Sequence, residues 1–570
     1  MISRCVLLMF VLVSSLVAAQ TAPLGMPFFD ESLRRAQLLG QIDSTISFTI
    51  RPVDAERAAK VHLPFGADSL IFSHDDGRYW RYGRLVDSSD HYRLVLLPFV
   101  SKHQYNQHHP YGWSNGPMIP NKGWQHYYSA GIYAKIRFLE VQFRPEHVSA
   151  ENRPFQNPPV RNIEIDFPDR FGTEPYRETF WGQSFVKAHV GPIAMGVGTS
   201  NAWAGPGIKN AIILSNNAPG FRHFAIHTNR PIRTPIGSFE FQIMGGPIEY
   251  SGFYGYGRVA VPGLFPLMTA DIQRDTVRAT KPHSWVSIGT VVYQPKWVPG
   301  LFLGANRVVQ DSEEPRNPFY FMRAFGGRGS VAEYLLNKGA QRNQIISVFG
   351  RYLIPSIHAE LYFDIGREDY WKDFQDLMTN PTHSLVWQWG FRKMKPLRGK
   401  NHWLEFSTEV TKIEFPASQM SRSAGYSFYT HGNLVGWTHR GQVLGAGIGP
   451  GSNMYTLGIL WNKGYHQLGL SFERVVYHED MFYTRMPFLR IGNGANPFES
   501  DFTKHFVDVG ALLEGQTAFR GFMLGARWHL LRTYNFQWIY TPFGTDPDGF
   551  RYPGINVWSH NLQFFTLFRF

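Results

Sequence analysis

Apolar and polar residues alternate with a period of two along much of this chain. Between Gln125 and Phe138, Tyr128, Ala130, Ile132, Ala134, Ile136 and Phe138 share one face, while Gln125, Ser129, Gly131, Lys135 and Arg137 share the other. Successive side chains of a β-strand point to opposite sides, so the pattern predicts a long strand with one apolar and one polar face. Leu139, Val141 and Phe143 against Glu140, Gln142 and Arg144 read as the returning strand of a hairpin. The device recurs where Leu404, Phe406, Thr408 and Val410 alternate with Glu405, Ser407 and Glu409. His466, Leu468, Leu470 and Phe472 likewise alternate with Gln467, Gly469, Ser471 and Glu473 after the turn signal Asn462-Lys463-Gly464. Phe522, Leu524, Ala526, Trp528 and Leu530 against Gly525, Arg527 and His529 add another strand with a charged face.

A soluble sandwich alternates as well, so the choice rests on other features. The opening MISRCVLLMFVLVSSLVAAQ carries one positive charge, an apolar stretch and a small-residue exit, which predicts an export signal over residues 1–19. No later apolar run approaches the roughly 18 to 20 residues of a spanning helix. Any membrane span is then a closed barrel, the other architecture that satisfies every backbone polar group in lipid. The chain ends NLQFFTLFRF, with Phe564, Thr566, Phe568 and Phe570 on one face, an aromatic terminus of the kind the outer-membrane barrel-assembly machinery reads. The expected fold class is all-β, a large antiparallel transmembrane β-barrel over residues 86–570 in the cell outer membrane.

Two kinds of region break the alternation. Phe29 to Leu39 reads as a short helix with Asp30 as N-cap and Gly40 as stop, strand-like Ile46, Phe48 and Ile50 follow, and Asp54 to Val61 reads as helical again. Residues 20–85 are therefore expected as a small N-terminal periplasmic helical cap that plugs the inner mouth. Long loops are expected near 106–124, 153–180, 200–222, 311–342, 367–382, 416–440 and 476–504, facing outward.

Composition sharpens this picture. The 46 Phe, 27 Tyr and 16 Trp exceed what a soluble core needs and suit a membrane-facing wall. Lys and Arg total 56 against 44 Asp and Glu, a net charge of +12, which suits contact with lipopolysaccharide phosphates or an acidic polymer. The only cysteine, Cys5, lies in the signal, so disulfides and thiolate chemistry are excluded from the mature chain. His103, His108 and His109 lack an accompanying carboxylate or thiol, so no metal or other cofactor is expected. Glu405 with Glu409, Glu313 with Glu314, and Glu368 with Asp369 read as solvated pairs rather than a catalytic set, and no nucleic-acid partner is expected.

Several runs resemble the Wzi family of capsule-assembly outer-membrane proteins, in particular its branch from Bacteroidetes-like bacteria. They are RRAQLLGQIDSTISFTIRP (34–52), HHPYGWSNGPMIPNKGWQ (108–125), AGIYAK (130–135), RPEHVSAEN (144–152), WAGPGIKNAIILSNNAPGFRHF (203–224), PIGSFEFQ (235–242) and HRGQVLGAGIGPGSN (439–453). The resemblance implies a barrel of about eighteen strands with a periplasmic cap. It also implies an outer-membrane lectin that holds capsular polysaccharide or exopolysaccharide on the cell, not an enzyme. A sugar site needs an aromatic face and fixed polar groups. His109, Tyr111 and Trp113 in the first loop, Trp203, Lys209 and Asn210 in WAGPGIKN, and Arg440 in the glycine-rich hairpin are the candidate contacts. The same motifs also read as a rim anchor and as a pore-closing element. A porin or nutrient channel, and more remotely a barrel-borne hydrolase, are the competing functions.

Overall fold

A computed structural model of the chain describes residues 24–25, 29–40, 44–53, 72–75, 79–82, 84–88, 92–155, 165–253, 283–311, 317–322, 342–368, 374–399, 402–416, 427–430, 436–464, 466–485, 505–519, 522–538 and 554–568. The export signal at 1–19, the helical turn at Asp54–Val61 and the terminal Phe570 lie outside the described residues. Eighteen strands close into one antiparallel barrel. The first six are β1 (Tyr92–Asn106), β2 (Gly123–Ile136), β3 (Leu139–Phe143 continued by Glu146–Ala150), β4 (Tyr176–Phe180 continued by Phe185–Val190), β5 (Ile193–Gly198) and β6 (His223–Thr228 continued by Ile232–Thr234). The next seven are β7 (Gly237–Glu249), β8 (His283–Pro295), β9 (Leu301–Asp311), β10 (Arg342–Ile354), β11 (Ala359–Glu368), β12 (Leu385–Pro396) and β13 (His402–Lys412). The wall ends with β14 (Asn453–Lys463), β15 (His466–Val476), β16 (Val507–Phe519), β17 (Phe522–Tyr534) and β18 (Val557–Phe568). Closure comes from β18 pairing antiparallel with β1, Asn561 opposite Asn106 and Phe568 opposite Phe99. Below Phe568 the short segment Arg84–Ser88 takes over as the neighbour of β1, with Arg84 opposite Leu96.

The alternation reads inside-out, as lipid requires. Leu404, Phe406, Leu468, Leu470 and Phe472 are exposed on the outer surface, whereas Glu405, Glu409 and Glu473 are buried toward the lumen. In β2, Ile132 and Ile136 face outward while Gln125, Ser129 and Lys135 are buried within. No helix among the described residues is long and apolar enough to cross a membrane, so the strands carry the span. Strand polarity follows from loop length: β1 to β2 and the other long connections mark one end, tight turns such as Arg137–Phe138 the other, periplasmic one.

The lumen is filled. Helix α1 (Phe29–Leu38) lies within it, and Leu33, Ala36, Leu38, Ile46 and Phe48 pack against inward residues such as Leu97, Phe302, Phe349 and Trp403. The helix starts at Phe29, which puts Asp30 in the first turn instead of at the cap. Gly40 ends the helix in the left-handed region, φ 73°. Of the strand-like Ile46, Phe48 and Ile50, only Ile50 lies in a strand, Ile50–Arg51, because Phe48 has a positive φ of 54° that no strand accommodates. The expected helical cap also holds a hairpin in which Phe72–Asp75 pairs with Tyr79–Tyr82. A second apolar core sits above the helix. There Ile212, Ile213 and Leu214 of the 199–222 loop meet Tyr429, Trp437 and Leu444 of the 413–452 loop and the inward faces of β7 to β10. The 199–222 loop thus folds down into the barrel, and the expected 153–180 loop ends early, since Tyr176–Phe180 already pairs with β3.

Candidate functional site

The site is built where the 107–122 and 199–222 loops meet the plug. Gly205-Pro206-Gly207 makes the sharp bend that lets the second loop re-enter. A Cβ at Gly207 would lie 2.0 Å from the Asn210 carbonyl oxygen, and Gly205 has φ 124°, so both positions demand glycine. Glu409 of β13 then captures the bend, its carboxylate accepting backbone N–H bonds from Ile208 (2.7 Å), Lys209 (3.1 Å) and Asn210 (3.0 Å). Tyr362 Oη and Gln388 Nε2 complete its shell at 2.6 and 2.8 Å. Strand residues Ile50–Arg51 pair with Ala204 and Trp203, so plug and loop share a two-stranded ribbon inside the barrel.

The plug is held on one side by buried charge. Arg34 Nε donates to Glu360 Oε1 at 3.0 Å, Arg351 Nε donates to Glu360 Oε2 at 2.7 Å, and Arg392 lies 3.8 Å away. Arg351 also donates to Gln37 Oε1 and the Ser47 carbonyl, and Arg34 to the Pro206 carbonyl. Glu31 pairs with Arg392. Burial alone would raise the Glu31 carboxyl, but Arg392 and then Arg35 outweigh it and hold it well below the usual carboxylate range.

A chamber remains, walled by β14 to β18 across the bore and by Arg392, Glu405 and Glu409 of β12 and β13 on the plug's side. Its upper part, about 260 Å³, is lined by Tyr111, Trp113, Lys209, Glu473 and His529, with Arg35 of the plug beneath. A lower part of about 240 Å³ continues past Trp203 and Asn216 to Gln467 and Gln516. Tyr111 and Trp113 meet edge to face, centroids 5.2 Å apart. Tyr111 Oη donates to Glu473 Oε2 at 2.8 Å, and burial, then Glu473, push its phenol well above the usual range, so it stays a donor. Lys209 Nζ stands 3.7 Å from Glu473 Oε1.

Of the seven candidate contacts, the structure brings Tyr111, Trp113 and Lys209 together in the upper chamber, with Trp203 on the lower wall. Trp203 stacks on the Arg51 guanidinium, 4.1 Å from ring centroid to Cζ. His109 lies apart, buried between Asp508 (3.3 Å) and Phe536. Asn210 is fully buried in the glycine bend, its amide 3.5 Å from Thr411 Oγ1. Arg440 sits at the outer rim, donating to Glu249 Oε2 at 2.9 Å and Glu178 Oε1 at 3.1 Å, with Phe180 under its guanidinium. Sequence reasoning did not single out Arg35, Glu473, Arg527 or Gln516 as site residues, although Glu473 and Arg527 were visible as the polar face of their strands. Five carboxylates (Glu31, Glu405, Glu409, Glu473, Glu514) face four cations (Arg35, Lys209, Arg392, Arg527) in the upper chamber, so the lumen there is not cationic. The described residues hold no cluster of three or more metal-ligating side chains. Glu313, Glu314 and Asp369 lie outside the described residues.

Residues 141–507 match the family model described as capsule assembly protein Wzi. Among solved structures, the chain is similar to Wzi of Escherichia coli, an outer-membrane protein involved in group 1 capsule assembly and described as a carbohydrate-binding β-barrel. That match has 11% identity and a TM-score of 0.56, over 97% of this chain and 100% of the other. Pseudomonas putida OprB aligns at 10% identity and a TM-score of 0.36, over 84% of this chain and 94% of its own. Acinetobacter baumannii OccAB1 aligns at 9% and 0.35, over 83% and 95%. No curated protein matches the sequence. With nearly two thirds of its length matched by the family model on a closed eighteen-stranded barrel, the chain is an outer-membrane protein that belongs to the Wzi family of capsule assembly proteins.

Proposed function

We propose that this protein holds capsular polysaccharide or exopolysaccharide at the cell surface as an outer-membrane lectin, without altering the polymer. The observation that carries the reading is the closure of the lumen by its own outer loops. Glu409 fixes the 208–210 backbone, Trp437 Nε1 donates to the Ile213 carbonyl at 2.7 Å, and Tyr429 Oη bonds the Ile212 carbonyl. Two apolar cores then occupy the bore beside the chamber. A solute channel needs a continuous wet path, and an apolar core across the lumen works against one. A rigid platform of loops suits a polymer instead, because weak contacts repeated along the chain sum to avidity. Tyr111, Trp113 and Lys209 are the contacts this reading keeps in the chamber, and Arg440 the one it keeps at the rim. The apolar outer belt meets membrane lipid and lipopolysaccharide, and the alternating β18 is the segment offered to the barrel-assembly machinery.

The test is a deletion strain in which cell-bound and shed polymer are both measured. Polymer made in normal amount but released to the medium is the expected result. Lost synthesis would point to an export role, shortened chains to a hydrolase, and unchanged retention would end the proposal.

A further inference from the structure

We propose that the membrane-facing outer wall of β14 to β18 carries a binding site for the phosphorylated headgroup of an outer-leaflet glycolipid of the lipid A class. The site rests on the lipid contact of the outer belt described above, and it is independent of the capsule reading. Cross-strand register lines up Tyr455, Arg474, Val509, Arg532 and Trp558 as one row over five neighbouring strands. Glu473, Val475, Leu531 and Thr533, which flank the two arginines, are buried toward the lumen, so alternation turns both guanidinium groups outward. Each member of the row lies within two residues of the outer end of its strand, the level at which the apolar belt gives way to headgroups.

The two arginines are held in place without being neutralised. Arg474 stands over the Tyr455 ring at 5.7 Å, and Arg532 over the Trp558 and Tyr534 rings at 5.3 and 5.7 Å. Arg474 Nη1 also donates to Asn453 Oδ1 at 3.4 Å, but among the described residues neither guanidinium has a carboxylate within ion-pair distance. Other cations at the outer rim are paired, Arg440 with Glu249 and Glu178, and Lys412 with Glu414. A guanidinium resting on an aromatic face loses little freedom when an anion arrives, and its planar fork takes two phosphate oxygens at once. Two strand spacings separate the arginines by about 10 Å, so both can reach one headgroup. Below the row the wall is apolar: Phe472, Leu470 and Leu468 descend β15, and Leu513, Trp528 and Phe564 lie beside them, all exposed. Cations above an apolar wall complement an anionic headgroup above acyl chains. A second copy of the chain is a poorer occupant, because a two-fold contact on this face would set arginine against arginine.

The experiment titrates the purified full-length barrel, in neutral detergent, with lipid A from the host's own outer membrane, intact and after enzymatic removal of its phosphates. Phosphatidylglycerol serves as the competing anionic lipid, and bound lipid is counted by native mass spectrometry. Intact lipid A is expected to bind about tenfold or more tightly than either the dephosphorylated form or phosphatidylglycerol, the worth of the charge-assisted hydrogen bonds to its phosphate. Arg474→Gln with Arg532→Gln should bring intact lipid A down to the level of the dephosphorylated form while heat-modifiable gel migration stays that of wild type. Arg474→Lys with Arg532→Lys, which keeps the charge and loses the fork, should fall between the two. Equal binding of the three lipids, binding of intact lipid A indifferent to the Gln substitutions, or a dimer that those substitutions disperse would overturn the proposal. Capsule retention is read separately in the deletion strain, so failure of either reading leaves the other standing.

Discussion

Two halves of one lumen handle charge in opposite ways. Along β10 to β13 the Arg34–Glu360 pair is 1% and 0% exposed, and Arg351 and Arg392 crowd the same carboxylate. Across the bore the Arg527–Glu514 pair has the same chemistry and the same 3.0 Å separation, but is 46% and 25% exposed. A buried pair costs desolvation and makes each partner indispensable, whereas an exposed pair is screened by water and contributes little. The first half is therefore a lock that seats the plug, and the second a more exposed space beside it. Sequence neighbours could not have revealed the division, because both halves present the same alternating strands.

The largest effect is expected from the lock. Glu360→Ala leaves Arg34, Arg351 and Arg392 around an empty position, and should cost about 3–5 kcal/mol, read as a lower temperature for the heat-modifiable gel shift. Gly207→Ala comes next, since its Cβ would overlap the Asn210 carbonyl oxygen; a loss of about 1–3 kcal/mol and easier proteolysis of the 199–222 loop are expected. A pH effect of intermediate size belongs to the roof. Asp480 is buried beside the Phe415 N–H and the Ser427 hydroxyl, and burial pushes its carboxyl up to about 7. The folded roof then holds a proton that the unfolded chain releases near its ordinary value of about 3.9, so its stability is highest below that value and falls as pH rises to about 7. Protection factors at Ser427–Thr430, which remove the intrinsic base-catalysed rise of exchange with pH, should fall between about pH 4 and pH 8, and Asp480→Asn should flatten the fall. Arg527→Gln, in the open half, should cost less than about 1 kcal/mol in the same gel assay. A loss as large as that of Glu360→Ala would erase the distinction between the halves.

The wall was legible because each strand writes its own two faces. Glu405, Glu409, Glu473, Arg527 and His529 were all placed on polar faces by alternation alone. Their partners were not legible, since Arg34 and Glu360 are 326 positions apart and the Glu409 hub collects backbone N–H groups about 200 positions away. Alternation failed at β4, where Trp181–Ser184 interrupts the strand around Gly182 in the left-handed region, φ 58°. At the site, the motifs pointed to Tyr111, Trp113 and Lys209 together. The same motifs also named His109 and Asn210, whose burial depends on Asp508 and on the glycine bend and leaves no trace in local sequence. The net charge of +12, which suggested contact with phosphates or an acidic polymer, does not say where charges sit.

The claim that the outer loops and plug make this barrel a holding platform instead of a channel is tested most directly by single-molecule conductance in planar bilayers. Wild-type protein is predicted to show no steady open level, while Glu360→Ala, with the lock released, shows frequent openings. A large, steady conductance from the intact wild-type barrel would contradict the account.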